Sequence, residues 1–201
     1  MIKKIILLSL FSLLIFSSIY FFLNKDYYQN TTVQKIENQE ALPGGHFKLI
    51  KQDGTVFDSE ISNKLMLIYF GFTYCPDVCP TTLIKMADVI DRLGDDALKV
   101  NSIFISVDPE RDNVETINDY VSAFHNQIIG LTGNEEQISN VAKDWGVYYQ
   151  KEFIDGSAEY TVNHLDIIFL ANANGEFIDF FPPKIQSALI VEKVRNLIKS
   201  D

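Results

Sequence analysis

Leu65–Leu93 reads LMLIYFGFTYCPDVCPTTLIKMADVIDRL, and three signals follow one another along it. Leu65–Phe70 is a continuous apolar run, the pattern of a central strand buried on both faces. Thr81–Leu93 carries Leu83, Met86, Ala87, Ile90 and Leu93 at helical spacing, and Gly94 stops it. Between the two lie the only cysteines of the chain, Cys75 and Cys79. The stretch therefore predicts a strand that hands two thiols to the start of a helix. Unpaired N–H groups and the helix dipole there lower a thiol's pKa and favour the thiolate, which is both nucleophile and metal ligand.

Working outward, His46–Ile50 and Thr55–Phe57, around Gln52-Asp53-Gly54, read as a hairpin entered at Pro43-Gly44-Gly45. After the helix come a strand over Val100–Val107 and a helix opened by an Asp112/Glu115 capping box and ending at Phe124. A short strand, Ile128–Leu131, precedes a helix opened by Asn134 and Gln137 that runs to about Trp145. Tyr160–Leu170 and Glu176–Phe181, joined around Asn174-Gly175, read as a second hairpin, and Gln186–Lys199 as a closing amphipathic helix. A hairpin, then βαβα, then ββα predicts an α/β domain with helices on both faces of its sheet. The order matches a thioredoxin-like three-layer sandwich.

Ahead of that domain, Lys3 and Lys4 precede Ile5–Leu23, 19 residues without a charge. About 20 apolar residues span a bilayer, whereas a secretory core usually has roughly 7–15. Residues 1–24 are thus expected to form an uncleaved N-terminal transmembrane helix, with a cleaved signal peptide as the alternative. Tyr20, Tyr27 and Tyr28 suit the far interface, and the lysine pair favours a cytoplasmic N-terminus. Residues 25–40 read as a polar linker and 41–201 as the folded domain. The expected location is the inner membrane, single-pass, with the domain facing the periplasm, or the intermembrane space in a mitochondrion. With no Arg-rich transit peptide before the apolar segment, the bacterial membrane is favoured. A hydrophobic content of 47% excludes a disordered chain. A net charge of −10, with no basic run in the domain, argues against nucleic acid as a partner.

In an exported protein a cysteine pair usually forms a structural disulfide. A bridge closing so short a loop adds little loop-entropy stabilisation, and a domain of this size buries an adequate core without one. The pair therefore reads as chemical. On a helix, positions i and i+4 hold their Cβ atoms roughly 5–6 Å apart, against about 3.5–4.5 Å in a disulfide. A slight departure from the helix permits the bridge, and the open pair can grip a soft ion. Thiolates select Cu(I), zinc or iron–sulfur clusters. A cluster takes four Cys, and structural zinc takes four protein ligands. Of three histidines, His164 stands at the entry to Leu165–Leu170, where a thioredoxin-like topology sets a loop opposite the cysteines. Cys75, Cys79 and His164 make three ligands, which suits trigonal Cu(I). Catalytic zinc with two Cys and one His stays open. His46, beside the Gly pair, and His125, at a helix end, read as structural or surface residues.

From about Gly44 to Lys184 the chain resembles the Sco/SenC family of copper chaperones for cytochrome c oxidase. The resemblance rests on Gly44-Gly45-x-Phe47, YFGFTYCPDVCP (Tyr69–Pro80), SVDPERD (Ser106–Asp112), GLTG (Gly130–Gly133), Tyr160-x-Val162-x-His164 and Asn174-Gly175-Glu176-Phe177. It implies Cys75, Cys79 and His164 as copper ligands, for Cu(I) first and Cu(II) second. Asp77 and Asp108 fall on acidic positions of the family. Their plain readings are a first-turn helix acid and the end of a strand before Pro109. Asn163 departs from the Asp often found before the His, and Asn126 from a Pro before GLTG. The implied function is delivery of copper to the dinuclear copper centre of the oxidase subunit that bears it, the upstream copper donor being unspecified. The alternative is a thiol–disulfide oxidoreductase that reduces that subunit's cysteines with Cys75 and Cys79. Which of the two holds decides whether the protein is an enzyme. A peroxidase, suggested by Thr73 two residues before Cys75, and a binding module with a permanent disulfide are further readings.

Overall fold

In the computed structural model, residues 42–154, 156 and 159–200 are described. The expected anchor (1–24) and linker (25–40) lie outside the described residues. Among the described residues, no helix is long and apolar enough to cross a membrane. The elements are β1 (Lys48–Lys51), β2 (Val56–Asp58), β3 (Leu65–Gly71), α1 (Val78–Leu93), a 3-10 turn (Gly94–Lys99), β4 (Val100–Ser106) and α2 (Val114–Ser122). They continue with β5 (Ile128–Thr132), α3 (Glu135–Asp144), β6 (Tyr149–Phe153), β7 (Tyr160–His164), β8 (Ile168–Ala171), β9 (Phe177–Phe181) and α4 (Ser187–Ser200).

One seven-stranded sheet runs β2-β1-β5-β4-β3-β8-β9. Its centre, β5-β4-β3, is parallel, and antiparallel pairs flank it on both sides. Every residue of β3 and β4 is buried, as strands covered on both faces require. Tyr69, Phe104 and Gly130 are register neighbours on one face. That face meets α2, whose Tyr120 ring packs on Phe104 and whose Ile117 and Val121 close over Gly130. Helix α1 covers the same face, and α4 packs beside α1. Ile68 and Phe169 are neighbours on the opposite face, where Trp145, at the end of α3, packs edge-on to Phe169. Helices on both faces of a mixed sheet give the thioredoxin-like layering.

The structure departs from the sequence-based expectation at four places. Helix α1 begins at Val78 rather than Thr81, so Cys79 already belongs to it. Pro80 is no obstacle, because a proline in the first turn forfeits an N–H that has no helical acceptor. Asn113, not Asp112, caps α2, its side chain accepting from the Thr116 N–H. Strand β6 was not foreseen: it reads YQKEF, mostly solvated, and shows no apolar alternation. The expected strand Tyr160–Leu170 is two strands. Tyr160–His164 pairs with β6 in a separate two-stranded sheet, while Ile168–Ala171 joins β3. Between them, the Asp166 carboxylate accepts a bond from the Thr82 hydroxyl of α1 at 3.0 Å, which draws the chain off the hairpin.

Candidate metal centre

The buried strand β3 delivers the chain to Gly71 and then to a tight loop. The Cys75 N–H donates back to the Phe72 carbonyl at 3.3 Å, and Cys79 is the second residue of α1. Both cysteines are free thiols. Cys79 is fully enclosed and Cys75 is 8% exposed, at the rim. Gly71 is what lets α1 come this close. A Cβ there would lie 2.9 Å from the Cys79 sulfur and 2.9 Å from the Phe104 ring, closer than carbon tolerates. Asp77 stands at the N-cap but makes no side-chain capping bond, and it is exposed.

His164 reaches the thiols from the end of β7. Its Nε2 is 3.3 Å from the Cys79 sulfur, and its Nδ1 is 3.2 Å from the Leu165 carbonyl oxygen. A carbonyl only accepts, so Nδ1 carries the proton and Nε2 turns its lone pair to the sulfurs. The Phe72 and Tyr69 rings hold the imidazole edge-on, with centroids at 5.7 and 6.1 Å. The Cys75 and Cys79 sulfurs and the nearer His164 nitrogen all lie within 4.8 Å of one another. A soft ion about 2.3 Å from each sulfur needs donors about 4 Å apart, so small side-chain adjustments bring this set to a metal. Two thiols and a bare imidazole nitrogen fit copper in kind as well as in spacing.

The two thiols are electrostatically unequal. The neighbouring Cys79 thiol and the N–H groups of Asp77 and Cys79 act on Cys75 against its burial, and its pKa is pushed down to about 3. Cys79 moves up, because its proton faces the Cys75 sulfur and burial penalises its own charge. Tyr69, enclosed beneath Cys79, is also pushed up, by burial first and then by the sulfur. Its hydroxyl has no hydrogen-bond partner among the described residues.

Three neighbours of the site, Asp112, Arg111 and Tyr160, were not identified as such from sequence, whereas Asp108 was singled out only by the resemblance. Asp112 accepts from the Thr73 N–H at 2.9 Å, the Thr73 hydroxyl at 2.5 Å and the Ser106 hydroxyl at 2.5 Å. It thereby ties the cysteine loop to the end of β4. Burial pushes its pKa up against those three donors. Asp108 is fully buried and accepts from Arg111 and from the Tyr160 hydroxyl, so it supports the site from below rather than facing the sulfurs. Arg111 and Tyr160 complete that group. The signal was in SVDPERD and Tyr160-x-Val162-x-His164, but their partners lie far off in sequence. Asn163 turns away from the sulfurs, toward Glu152 at 3.3 Å. The imidazole is thus oriented by the Leu165 carbonyl, not by the residue before it. His125 faces Asp91 at 3.4 Å and accepts from the Gln127 N–H; neither it nor the exposed His46 joins the thiols.

The chain is 42% identical over 144 residues to "Protein SCO1 homolog 1, mitochondrial" of Arabidopsis thaliana, covering 71% of this chain and 43% of that protein. It therefore spans less than half the length of that relative. It is 41% identical over 140 residues to a "SCO2-like protein" of Rickettsia felis, covering 69% of this chain and 68% of that one. The crystal structure of Arabidopsis thaliana ScoI with copper bound matches with a TM-score of 0.72 at 38% identity, covering 79% of this chain and 99% of that chain. The SCO1/SenC family matches residues 35–199, and the chain belongs to that family.

Proposed function

We propose that Cys75, Cys79 and His164 hold Cu(I), and that the protein delivers this copper to the dinuclear copper centre of a cytochrome c oxidase subunit. The observation that carries the reading is the convergence of two free thiols and one imidazole, all within 4.8 Å, from two distant stretches of the chain. The copper-bound relative supports the choice of metal. Copper is cargo here, so the site must release as well as bind. Three ligands leave room for an acceptor's ligand to enter before a donor ligand leaves. Cys75 lies at the rim, beside Tyr74 at 62% exposure, so the exchange has an open side. Residues 1–24 would anchor the domain, 41–201, on the outer face of an inner membrane, in the periplasm or the intermembrane space. Relatives from Rickettsia and from mitochondria are compatible with either.

A second reading is favoured by the inequality of the thiols. As a reductase, the Cys75 thiolate would attack a disulfide of the oxidase subunit, forming a mixed disulfide and releasing one partner thiolate. Cys79, deprotonated, would then attack the Cys75 sulfur and release the second partner thiolate. That leaves a Cys75–Cys79 disulfide and a partner reduced by two electrons. Only copper delivery needs His164. The test loads the reduced full-length chain with Cu(I) and offers it to an apo oxidase copper domain. Wild type should bind one copper and pass it on. Cys75→Ser, Cys79→Ser and His164→Ala should each bind more weakly. Unchanged binding in all three would remove the site, and oxidase assembly restored fully by His164→Ala would favour the reductase.

A further inference from the structure

The β6–β7 hairpin that carries His164 shares no strand pairing with the main sheet. Something other than a β-ladder must hold the imidazole over the sulfurs. Arg111 lies between the two parts. Its Nη1 donates to the Tyr160 carbonyl at 2.8 Å, within His164's own strand. Its guanidinium lies 3.7 Å from the Tyr160 ring centre on the hairpin side. On the cysteine-loop side it lies 4.8 Å from the Tyr74 ring and 5.8 Å from the Phe72 ring. Its Nε is fixed by the buried Asp108 carboxylate, which also accepts from the Tyr160 hydroxyl at 2.8 Å. Lys151 of β6 adds a second strap, paired with Glu110 at 2.7 Å and 4.9 Å from the Tyr160 ring. Asp108, Glu110 and Arg111 all come from one short loop after β4.

From this juxtaposition we infer that Arg111 is a positioning residue for the metal centre, clamping the His164 hairpin onto the Cys75 loop through Tyr160 on one side and Tyr74 on the other. The inference rests on the copper reading above and deepens it. Arginine suits the task because its planar fork stacks on rings and donates in two fixed directions at once. Lysine keeps the charge beside Asp108 and loses both properties. The plain alternative is that Arg111 only neutralises Asp108. In that case its loss would weaken the fold without acting through His164.

A double-mutant cycle separates the two. Cu(I) affinity is measured by chelator competition on the full-length chain for wild type, Arg111→Lys, His164→Ala and the double variant. Tyr160→Phe serves as a milder second probe, since it loses only the hydroxyl, and circular dichroism checks folding. Arg111→Lys should lower affinity by about 10–100-fold, as residues that orient a ligand do, and should lower it no further once His164 is gone. X-ray absorption of Cu-loaded Arg111→Lys should show a weakened nitrogen contribution. Equal losses in both backgrounds, or none in either, would overturn the clamp. Unchanged affinity in His164→Ala, with Arg111 intact, would instead bring down the copper reading, and the clamp with it.

Discussion

At the sulfur atoms, burial and neighbours act in opposite directions. Cys79 is fully enclosed and keeps its proton, while Cys75 at the rim is stabilised as a thiolate with a pKa pushed down to about 3. An ordinary thiol titrates near 8.5. The metal-free, reduced protein should therefore show one thiolate per chain by ultraviolet absorbance at about pH 5, far below that ordinary value. The signal should vanish in Cys75→Ser. Two thiols titrating together near the ordinary value would contradict the asymmetry. Cys75, Cys79 and His164 could be singled out in the sequence because the spacing of the thiols, the place of His164 before an apolar run and the expected thioredoxin-like topology point to them only when taken together. Arg111, Asp112 and Tyr160 were not, since the bond from Thr73 to Asp112 spans 39 residues and that from Tyr160 to Asp108 spans 52. No local periodicity encodes such pairs.

Among the elements, the cysteine loop owes its shape to one carboxylate. Thr73 directs both its N–H and its hydroxyl proton at Asp112, which fixes the loop that leads to Cys75. Thr73→Val keeps the side chain's shape and deletes one donor to a buried acceptor. It should cost about 1–3 kcal/mol in denaturant unfolding, and an unchanged midpoint would refute this link. The elements that were readable beforehand are the strongly patterned ones. Apolar β3 and β4, the capping box of α3 and the amphipathic α4 all stand close to where the sequence puts them. The ones that were missed are set by tertiary pairing. Solvated β6 exists because β7 pairs with it, and the break after His164 exists because Asp166 turns toward Thr82. A capping pattern also misled at Asp112, whose carboxylate found deeper donors while Asn113 took the cap.

For the domain as a whole, the parallel centre of the sheet is a rigid base from which β3 launches the cysteines, β4 launches the Asp108–Asp112 loop and β8 receives the chain after His164. The layered fold followed from the order of strands and helices. The meeting of the three donors depends on a hairpin outside the main sheet, which that order did not reveal. If these donors bind one copper ion together, X-ray absorption at the copper edge of the reduced, Cu(I)-loaded protein reads out its ligands. The wild-type protein should show two sulfur scatterers and one nitrogen, with the nitrogen lost in His164→Ala. A shell of sulfur alone in the wild-type protein would contradict it.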